Sequence, residues 1–481
     1  MGASIALVQT DRGTLAVTKS VVVISRSQIG AYDDEDAIYE LVQSTLTQVF
    51  LHNGVAIHDL VRPGQHVLIK PNLLYHYHPQ ELSGLHSMVV HGAVLRPVID
   101  AFADALDGQG QITVAESPVP QTDFERVVKA VGVADVIRDA QQHWSVPVHL
   151  LDVRRQRLVI DYAGWAFPRL QSLPGDPLGY VEIDLGRISA FHEIADHWRD
   201  LRNARALHVE TTNQHTLIHH RYTIPRSILS ADVIINIAKL KTHTMGGTTL
   251  SLKNAVGICI DKDRLPHYRH NHDEYPAEYT QQQRRRVAVN KFLVRWSKRI
   301  PQLEKLRSYK RLINNLCNNA GLNSIVMWGA WHGNDTLWRM VVDLNRILYF
   351  ADAHGKIHDT PQREVLHIID GIVGGDGEGP IRCHPKPAGV ILASLNPVAL
   401  DMVATHLMGL DHRQVQVISR CNEHLSTFSC AEAQIECYEN GQPDRVFDRL
   451  GVKLLWFRPP HGWLGHLELS DQKELSSQYD R

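Results

Sequence analysis

Between Lys239 and Asn254 the chain gathers Lys239, Lys241, His243, Lys253 and Asn254, with the hydroxyls of Thr248, Thr249 and Ser251 among them. Ammonium groups bind carboxylates and phosphates as point charges. Lysines crowded together lower one another's pKa, so that one of them can serve as base or nucleophile. Histidine is the readiest general acid or base at neutral pH. Lys241, His243 and Lys253 are therefore read as the catalytic set. Lys239, Lys241 and His243 alternate, which in an extended backbone turns all three side chains to one face. They follow Val233-Ile234-Ile235-Asn236-Ile237, a β-branched run short enough for a buried parallel strand. Open α/β sheets bind ligands at the carboxyl ends of such strands. A basic loop facing water is the competing reading. The apolar strand before the loop and the small-residue helix start after it (Ala255, Val256, Gly257) weigh against that.

Three more strand-like runs end on polar residues. His66 to Lys70 ends at Lys70-Pro71-Asn72, Gln111 to Ala115 at Glu116-Ser117, and Glu364 to Ile369 at Asp370-Gly371. In a doubly wound sheet these ends converge on one crevice. Lys70, Asn72, Lys239 and Asn254 are expected to contact an anionic substrate there. Asp370, Glu378 and Glu116 supply hard oxygen ligands suited to a divalent metal, magnesium or a transition ion. The glycines between Asp370 and Pro380 would let backbone approach a ligand closely. The segment matches neither a calcium-binding helix-loop-helix nor a phosphate-binding G-x-x-x-x-G-K-[ST] loop, and an acidic surface turn is the alternative. Asn334 and Arg339 lie beside Trp331 and Trp338 and could line the same site. There Asp335 or Thr336 caps a helix whose apolar stripe is Leu337, Met340, Val341 and Leu344. Asp401, after Asn396-Pro397, is a further carboxylate or a helix-surface residue.

The elements that must hold these groups alternate. Strand signals at Ser20 to Ser25, His66 to Lys70, Gln111 to Ala115, Val146 to Val153, Glu364 to Ile369 and Gly389 to Ser394 are separated by helix signals. The helices are expected at Ala37 to Leu51, at Val94 to Leu106, from Thr122, and at Val398 to Met408. This is an α/β pattern: a mostly parallel, doubly wound sheet with an inserted β-rich lobe and a helical insertion. The expected divisions are an N-terminal α/β part (1–158), an inserted lobe (159–226) and the basic strand-loop of the core (227–272). A helical insertion or lid (273–330), a C-terminal α/β part (331–457) and a tail (458–481) follow.

Composition bounds the chemistry. The chain has 481 residues, 43% hydrophobic and 21% charged, with a net charge of −2. Near-neutral charge argues against a nucleic-acid partner, so anion affinity must be local. Arg284-Arg285-Arg286 is a solvated face or a docking patch. None of the 6 cysteines forms a C-x-x-C pair, which speaks against a zinc knuckle or iron–sulfur cluster and fits a reducing compartment. No apolar run reaches membrane-spanning length and no secretory signal opens the chain, so a cytoplasmic location without a membrane partner is expected. No G-x-G-x-x-G follows an early strand, so NAD and FAD have no fingerprint here.

The ordered set Lys70-Pro71-Asn72, Glu116-Ser117, Ala-Asp-Val-Ile-Ile-Asn, Lys239-Leu240-Lys241-Thr242-His243, Ser251-Leu252-Lys253-Asn254 with Gly257, Asp370-Gly371, Glu378-Gly379-Pro380 and Ala399-x-Asp401 resembles the family labelled domain of unknown function 362. The resemblance runs from residue 66 to about residue 410. Some members carry a ferredoxin-like iron–sulfur segment; this chain departs from them, and no intrinsic cluster is expected. His243 and Lys253, ten residues apart around Gly246-Gly247, are similar to the histidine and lysine motif of nickel-pincer lactate racemases. That likeness implies an acid/base histidine and a cofactor-contacting lysine. The racemases' other catalytic histidines find only loose counterparts in His86 and His91, so the likeness speaks to fold before reaction.

These readings combine into one expectation: a metal-assisted enzyme acting on a small carboxylate- or phosphate-bearing substrate by Lys/His acid–base chemistry. Proton abstraction, elimination, cyclisation and hydrolysis all suit the groups. The alternative is a non-catalytic or redox-partner protein that carries a metal or cofactor, motivated by the 29 histidines. The oligomeric state is open.

Overall fold

The computed structural model describes residues 6–10, 13–17, 19–79, 82–159, 169–204, 214–299, 326–448 and 454–469. Its centre is a ten-stranded sheet. In spatial order the strands are Gln442–Asp444, Ile435–Glu439, Ser20–Arg26, Arg382–Ser394, Glu364–Glu378, Val233–His243, His66–Pro71, Gln111–Glu116 and Val148–Asp152. Gly247–Thr249 folds back on the end of Val233–His243. The run from Glu364–Glu378 to Val148–Asp152 is parallel throughout. Arg382–Ser394 is antiparallel to both its neighbours, and Ile435–Glu439 runs parallel to Ser20–Arg26. This is an α/β fold with a mostly parallel central sheet.

Parallel strands sit between two layers of helices, which is why they read as near-continuous apolar runs. Val233–His243 is buried at every position. Val233, Ile235 and Ile237 face one core, shared with helices Glu35–Asn53, Gly92–Ala105, Phe124–Ala130 and Val133–His143. Ile234, Ala238 and Leu240 face the other, shared with Leu337–Phe350, Pro397–Leu407 and Gln416–His424. Local signals set the ends of these helices. Asp34 accepts the Ala37 N–H, and Gly54 closes the same helix in the left-handed region. Asn396 accepts the Val398 and Ala399 N–H groups ahead of Pro397.

One reading needs correction. The glycine-rich segment is not a ligand loop: Asp370 to Glu378 continues the Glu364–Glu378 strand and pairs with Arg382–Ser394. Its glycines serve close packing, since a Cβ on Gly375 would lie 2.5 Å from the Ser87 carbonyl oxygen. The N-cap of Leu337–Phe350 is Thr336, one of the two residues expected, but its own side chain makes no cap hydrogen bond. The Asn334 Oδ1 accepts the Thr336 and Leu337 N–H groups, both at 3.0 Å.

Around the sheet, Gln156–Val159 pairs with Arg169–Ser172, Tyr180–Asp184 with Arg221–Pro225, and Leu201–Arg202 with Tyr268–Arg269, all antiparallel. Gln281–Arg299 is helical. Residues 160–168 and 205–213 of the expected lobe, 300–325 of the expected helical insertion, and 470–481 of the tail lie outside the described residues. Among the described residues, no helix is long and apolar enough to cross a membrane. Cys259, Cys383, Cys421, Cys430 and Cys437 are buried free thiols; Cys317 lies outside the described residues.

Candidate functional site

The strand ends are cross-tied by polar side chains. Lys70 and Glu116, from neighbouring strands, form a buried ion pair at 2.9 Å. Gly257 lies against it, where a Cβ would stand 2.2 Å from the Lys70 Nζ. Three amides form a relay: Asn72 Nδ2 donates to Asn254 Oδ1 at 3.0 Å, and Asn254 Nδ2 donates to Asn236 Oδ1 at 2.7 Å. Asn236 Nδ2 donates to the Ser251 carbonyl at 3.0 Å. The short helix Ser251–Asn254 is thereby seated over the strand ends. Asp401 holds its other side, accepting the Ser251 and Leu252 N–H groups at 2.8 and 2.9 Å. Burial pushes the Asp401 carboxyl up to about 8, against the pull of those two N–H groups. It is a buried brace and not a surface residue.

Beyond these ties opens a cavity of 570 Å³. Lys241, His243, Lys253, Asn72, Asn254 and Glu116 all line it. It also takes in Lys262 and His267, which the sequence reading passed over, with Thr249, Arg382 and the rings of Tyr75 and Tyr77. Neither Lys262 nor His267 stands in a periodic segment. Only the density of basic residues from Lys262 to His272 marks them in the sequence.

The charges in the cavity are unlike one another. Lys241 Nζ donates to the Met88 carbonyl and to Asn72 Oδ1. Burial, helped by Lys239 and Lys70 and opposed by Cys383 and Glu116, lowers it to about 8. Lys262 donates to the Val256 carbonyl, and burial lowers it to about 8. Lys253 has no hydrogen-bond or ion-pair partner among the described residues. Burial, then the neighbouring Lys241 and Lys262 cations, lower it to about 7. Near neutral pH this amine is therefore divided between free base and cation.

The two histidines hold opposite tautomers. His243 Nδ1 accepts the Met245 N–H at 3.0 Å and the Gly246 N–H at 3.2 Å. An Nδ1 that accepts N–H groups carries no proton, so the neutral ring keeps its hydrogen on Nε2. Burial, then Lys253, His267 and Lys241, push the His243 pKa well below its ordinary value. In this geometry His243 is a neutral hydrogen-bond donor. His267 Nδ1 donates to the Leu265 carbonyl at 2.8 Å, which leaves its Nε2 as a lone pair. Burial and then Lys253 lower it to about 4, so it too stays neutral.

The remaining expected residues are engaged elsewhere. Lys239 Nζ donates to Asp370 Oδ2 at 2.9 Å and to the Tyr32 hydroxyl at 2.5 Å, and Tyr32 donates to Asp370 Oδ1 at 2.6 Å. Tyr32 stacks on His91 at 4.2 Å and meets His86 edge-on at 5.3 Å. This buried triad does not line the cavity. Glu378 is exposed and accepts the His461 N–H at 2.6 Å. Asn334 accepts the N–H groups at the start of its helix and donates to the His267 carbonyl at 2.9 Å, so it supports a cavity residue from behind. Arg339 binds the Ala190 carbonyl, Glu193 and Asp335. Asp370, Glu378 and Glu116 therefore do not converge on one point. Among the described residues, the His/Cys/Asp/Glu set whose ligand atoms do converge is His197, Asp200 and His272. A divalent metal held by the three carboxylates does not fit this geometry.

No curated protein and no solved structure matches the chain. The family described as Domain of unknown function (DUF362) matches residues 67–162 and 184–406, a span that holds Lys70, Glu116 and the whole of the basic strand-loop. The chain belongs to the DUF362 family.

Proposed function

We propose that the cavity binds a small carboxylate- or phosphate-bearing molecule and that Lys253 moves a proton on it. The observation that carries this is the Lys253 amine: buried, without a partner among the described residues, and held to about 7 by burial and two flanking cations. Lysines tuned toward neutrality concentrate at functional sites, because a base works best when its pKa lies near the working pH. Lys241 and Lys262, each tied to a carbonyl, supply fixed positive charge for the anionic group. The free Lys253 amine takes a proton from the substrate. The Nε2–H of His243 then donates to the oxygen on which negative charge develops, as a neutral imidazole electrophile. His267 Nε2 accepts a hydrogen bond from a substrate hydroxyl, and the Lys253 ammonium returns the abstracted proton to the substrate. Proton abstraction followed by isomerisation or elimination suits this set best.

No step runs through a metal on Asp370 or Glu378, because Lys239 and Tyr32 engage the first and the second sits apart. A cytoplasmic location belongs to the same proposal and is supported by the buried free thiols. The test is solvent exchange: a panel of small carboxylates and phosphate esters is incubated with the protein in deuterium oxide and followed by proton NMR. Exchange of a carbon-bound hydrogen that disappears in Lys253→Met supports the reading. Exchange that survives in Lys253→Met, or the absence of any anion that stabilises the protein thermally, overturns it.

A further inference from the structure

A second group of ligand-bearing side chains lies outside the cavity, on two segments that help to wall it. His197 and Asp200 belong to the 3-10 segment Ala190–Asp200, and His272 follows the strand Tyr268–Arg269. The two segments meet through the pairing of Leu201–Arg202 with Tyr268–Arg269 and through the His270 N–H, which donates to the Asp200 carbonyl at 2.8 Å. That backbone contact fixes the approach of the three side chains. His272 Nε2 stands 3.4 Å from Asp200 Oδ2, and His197 Nδ1 stands 3.9 Å from the same oxygen. The two imidazole rings meet edge-on with centroids 4.3 Å apart. One nitrogen from each ring and one carboxylate oxygen all lie within 4.8 Å of one another.

We propose that His197, Asp200 and His272 form a binding site for a divalent transition-metal ion of the zinc type. Two imidazoles and one carboxylate are a ligand set that zinc accepts, with water in the fourth position. Ligands about 2.0–2.1 Å from a tetrahedral ion stand roughly 3.4 Å from one another. The separations to Asp200 are 3.4 and 3.9 Å and all three ligand atoms lie within 4.8 Å of one another, so side-chain rotation that draws them together closes the site. His272 reaches Asp200 at 3.4 Å, but His197, at 3.9 Å, is too far from it for an ordinary hydrogen bond. Among the described residues, no lysine or arginine pairs with the carboxylate either. The Arg199 guanidinium lies over the Trp198 ring at 4.4 Å, and Arg202 donates to the Arg199 and Leu201 carbonyls at 2.6 and 2.8 Å. All three side chains are partly exposed, at 44%, 34% and 36%, which leaves an entry path and a water position.

The site is separate from the lysine cavity but coupled to it by the chain. Ala204 follows the first segment, Lys262 and His267 precede His272, and all three line the cavity. An ion at the site clips those two segments together and fixes the wall that carries His267. The test uses the full chain without added affinity-tag histidines, freed of metal by chelation and titrated with Co²⁺, then with Zn²⁺ in competition. The expected result is stoichiometric Co²⁺ with a visible ligand-field band that Zn²⁺ removes. Affinity should fall about tenfold or more in His197→Ala and in His272→Ala, and stay unchanged in His58→Ala, an exposed histidine elsewhere. Because the ligands are partly exposed, the metal-free melting temperature of the variants should match the parent. No binding at micromolar metal, or equal binding by the parent and both ligand variants, overturns the proposal. Neither outcome bears on proton transfer by Lys253, which the deuterium exchange reads independently.

Discussion

Lys253→Met should stabilise the protein near neutral pH, and the gain should vanish in base. The amine has an ordinary value of 10.5 and is lowered to about 7 in the folded chain by burial and by Lys241 and Lys262. At about 1.4 kcal/mol for each tenfold change, that drop corresponds to about 5 kcal/mol of penalty for the charged form. Between pH 7 and 10.5 the unfolded chain binds the proton and the folded chain does not, so stability rises with pH across this window. Below pH 7 both states are protonated and the folded state bears the whole penalty. Methionine keeps the length of the side chain and removes the charge. The variant should therefore gain up to about 5 kcal/mol at about pH 6, and the gain should shrink steadily toward zero by about pH 10. Part of the gain is shared with Lys241 and Lys262, which lose a like-charged neighbour. Urea denaturation of parent and variant at about pH 6, 7.5, 9 and 10 measures it. A variant less stable than the parent at neutral pH, or a difference that does not change with pH, would show that the amine is neither buried nor tuned as argued.

Anion binding should follow the same charges in the opposite sense. Thermal stabilisation by phosphate or a small dicarboxylate should be largest near pH 6 and should fall as Lys253, at about 7, and then Lys241 and Lys262, at about 8, lose their protons. A response independent of pH would place the anion elsewhere. Lys239→Met should cost about 3–5 kcal/mol, since it leaves the Asp370 carboxylate buried with Tyr32 and the His91 and Ile372 N–H groups but without its cation. The double variant Lys239→Met with Asp370→Leu should recover most of that in thermal denaturation. Gly257→Ala drives a Cβ to 2.2 Å from Lys70 Nζ and 2.3 Å from Glu116 Oε1. It should destabilise by about 1–3 kcal/mol and weaken anion binding, read by the same melting experiment.

The sheet could be read from the sequence because its strands are buried on both faces. A run such as Val233 to Ile237 leaves no other arrangement for so many β-branched side chains. The alternation of Lys239 and Lys241 also puts both on one face: Lys239 meets Tyr32 and Lys241 meets Met88, residues that border the same core. The glycines after Asp370 misled because glycine weakens strands in general. Here the strand needs them, since neighbouring backbone leaves no room for a Cβ at Gly371 or Gly375. Lys262 and His267 were invisible for another reason. A non-periodic loop shows nothing of where it docks; tertiary contacts such as the pairing with Leu201–Arg202 and the Asn334 amide on the His267 carbonyl turn it toward the strand ends.

What no sequence shows is which charges are already answered. Counting ionisable groups at strand ends treats Lys70, Lys239, Lys241 and Lys253 as equivalent, and the tertiary contacts separate them. Register alone decides one case: Lys239 sits opposite Asp370 across parallel strands, so lysine and carboxylate neutralise each other and neither is left for a ligand or a metal. Lys70 answers Glu116, and Lys241 answers a carbonyl and an amide. Each of these contacts fixes a charge in place, which stabilises the folded chain or orients an anion but leaves little freedom to exchange a proton. Lys253 stands in the same short stretch of sequence and has no such contact among the described residues. Its burial cost is therefore uncompensated. An uncompensated cost of this size, held in a cavity beside two histidines of fixed tautomer, is the signature expected of strain retained for chemistry. Among the described residues Lys253 is the lysine of that stretch whose charge no partner answers, and this, more than the number of charges gathered, supports the proposed proton transfer.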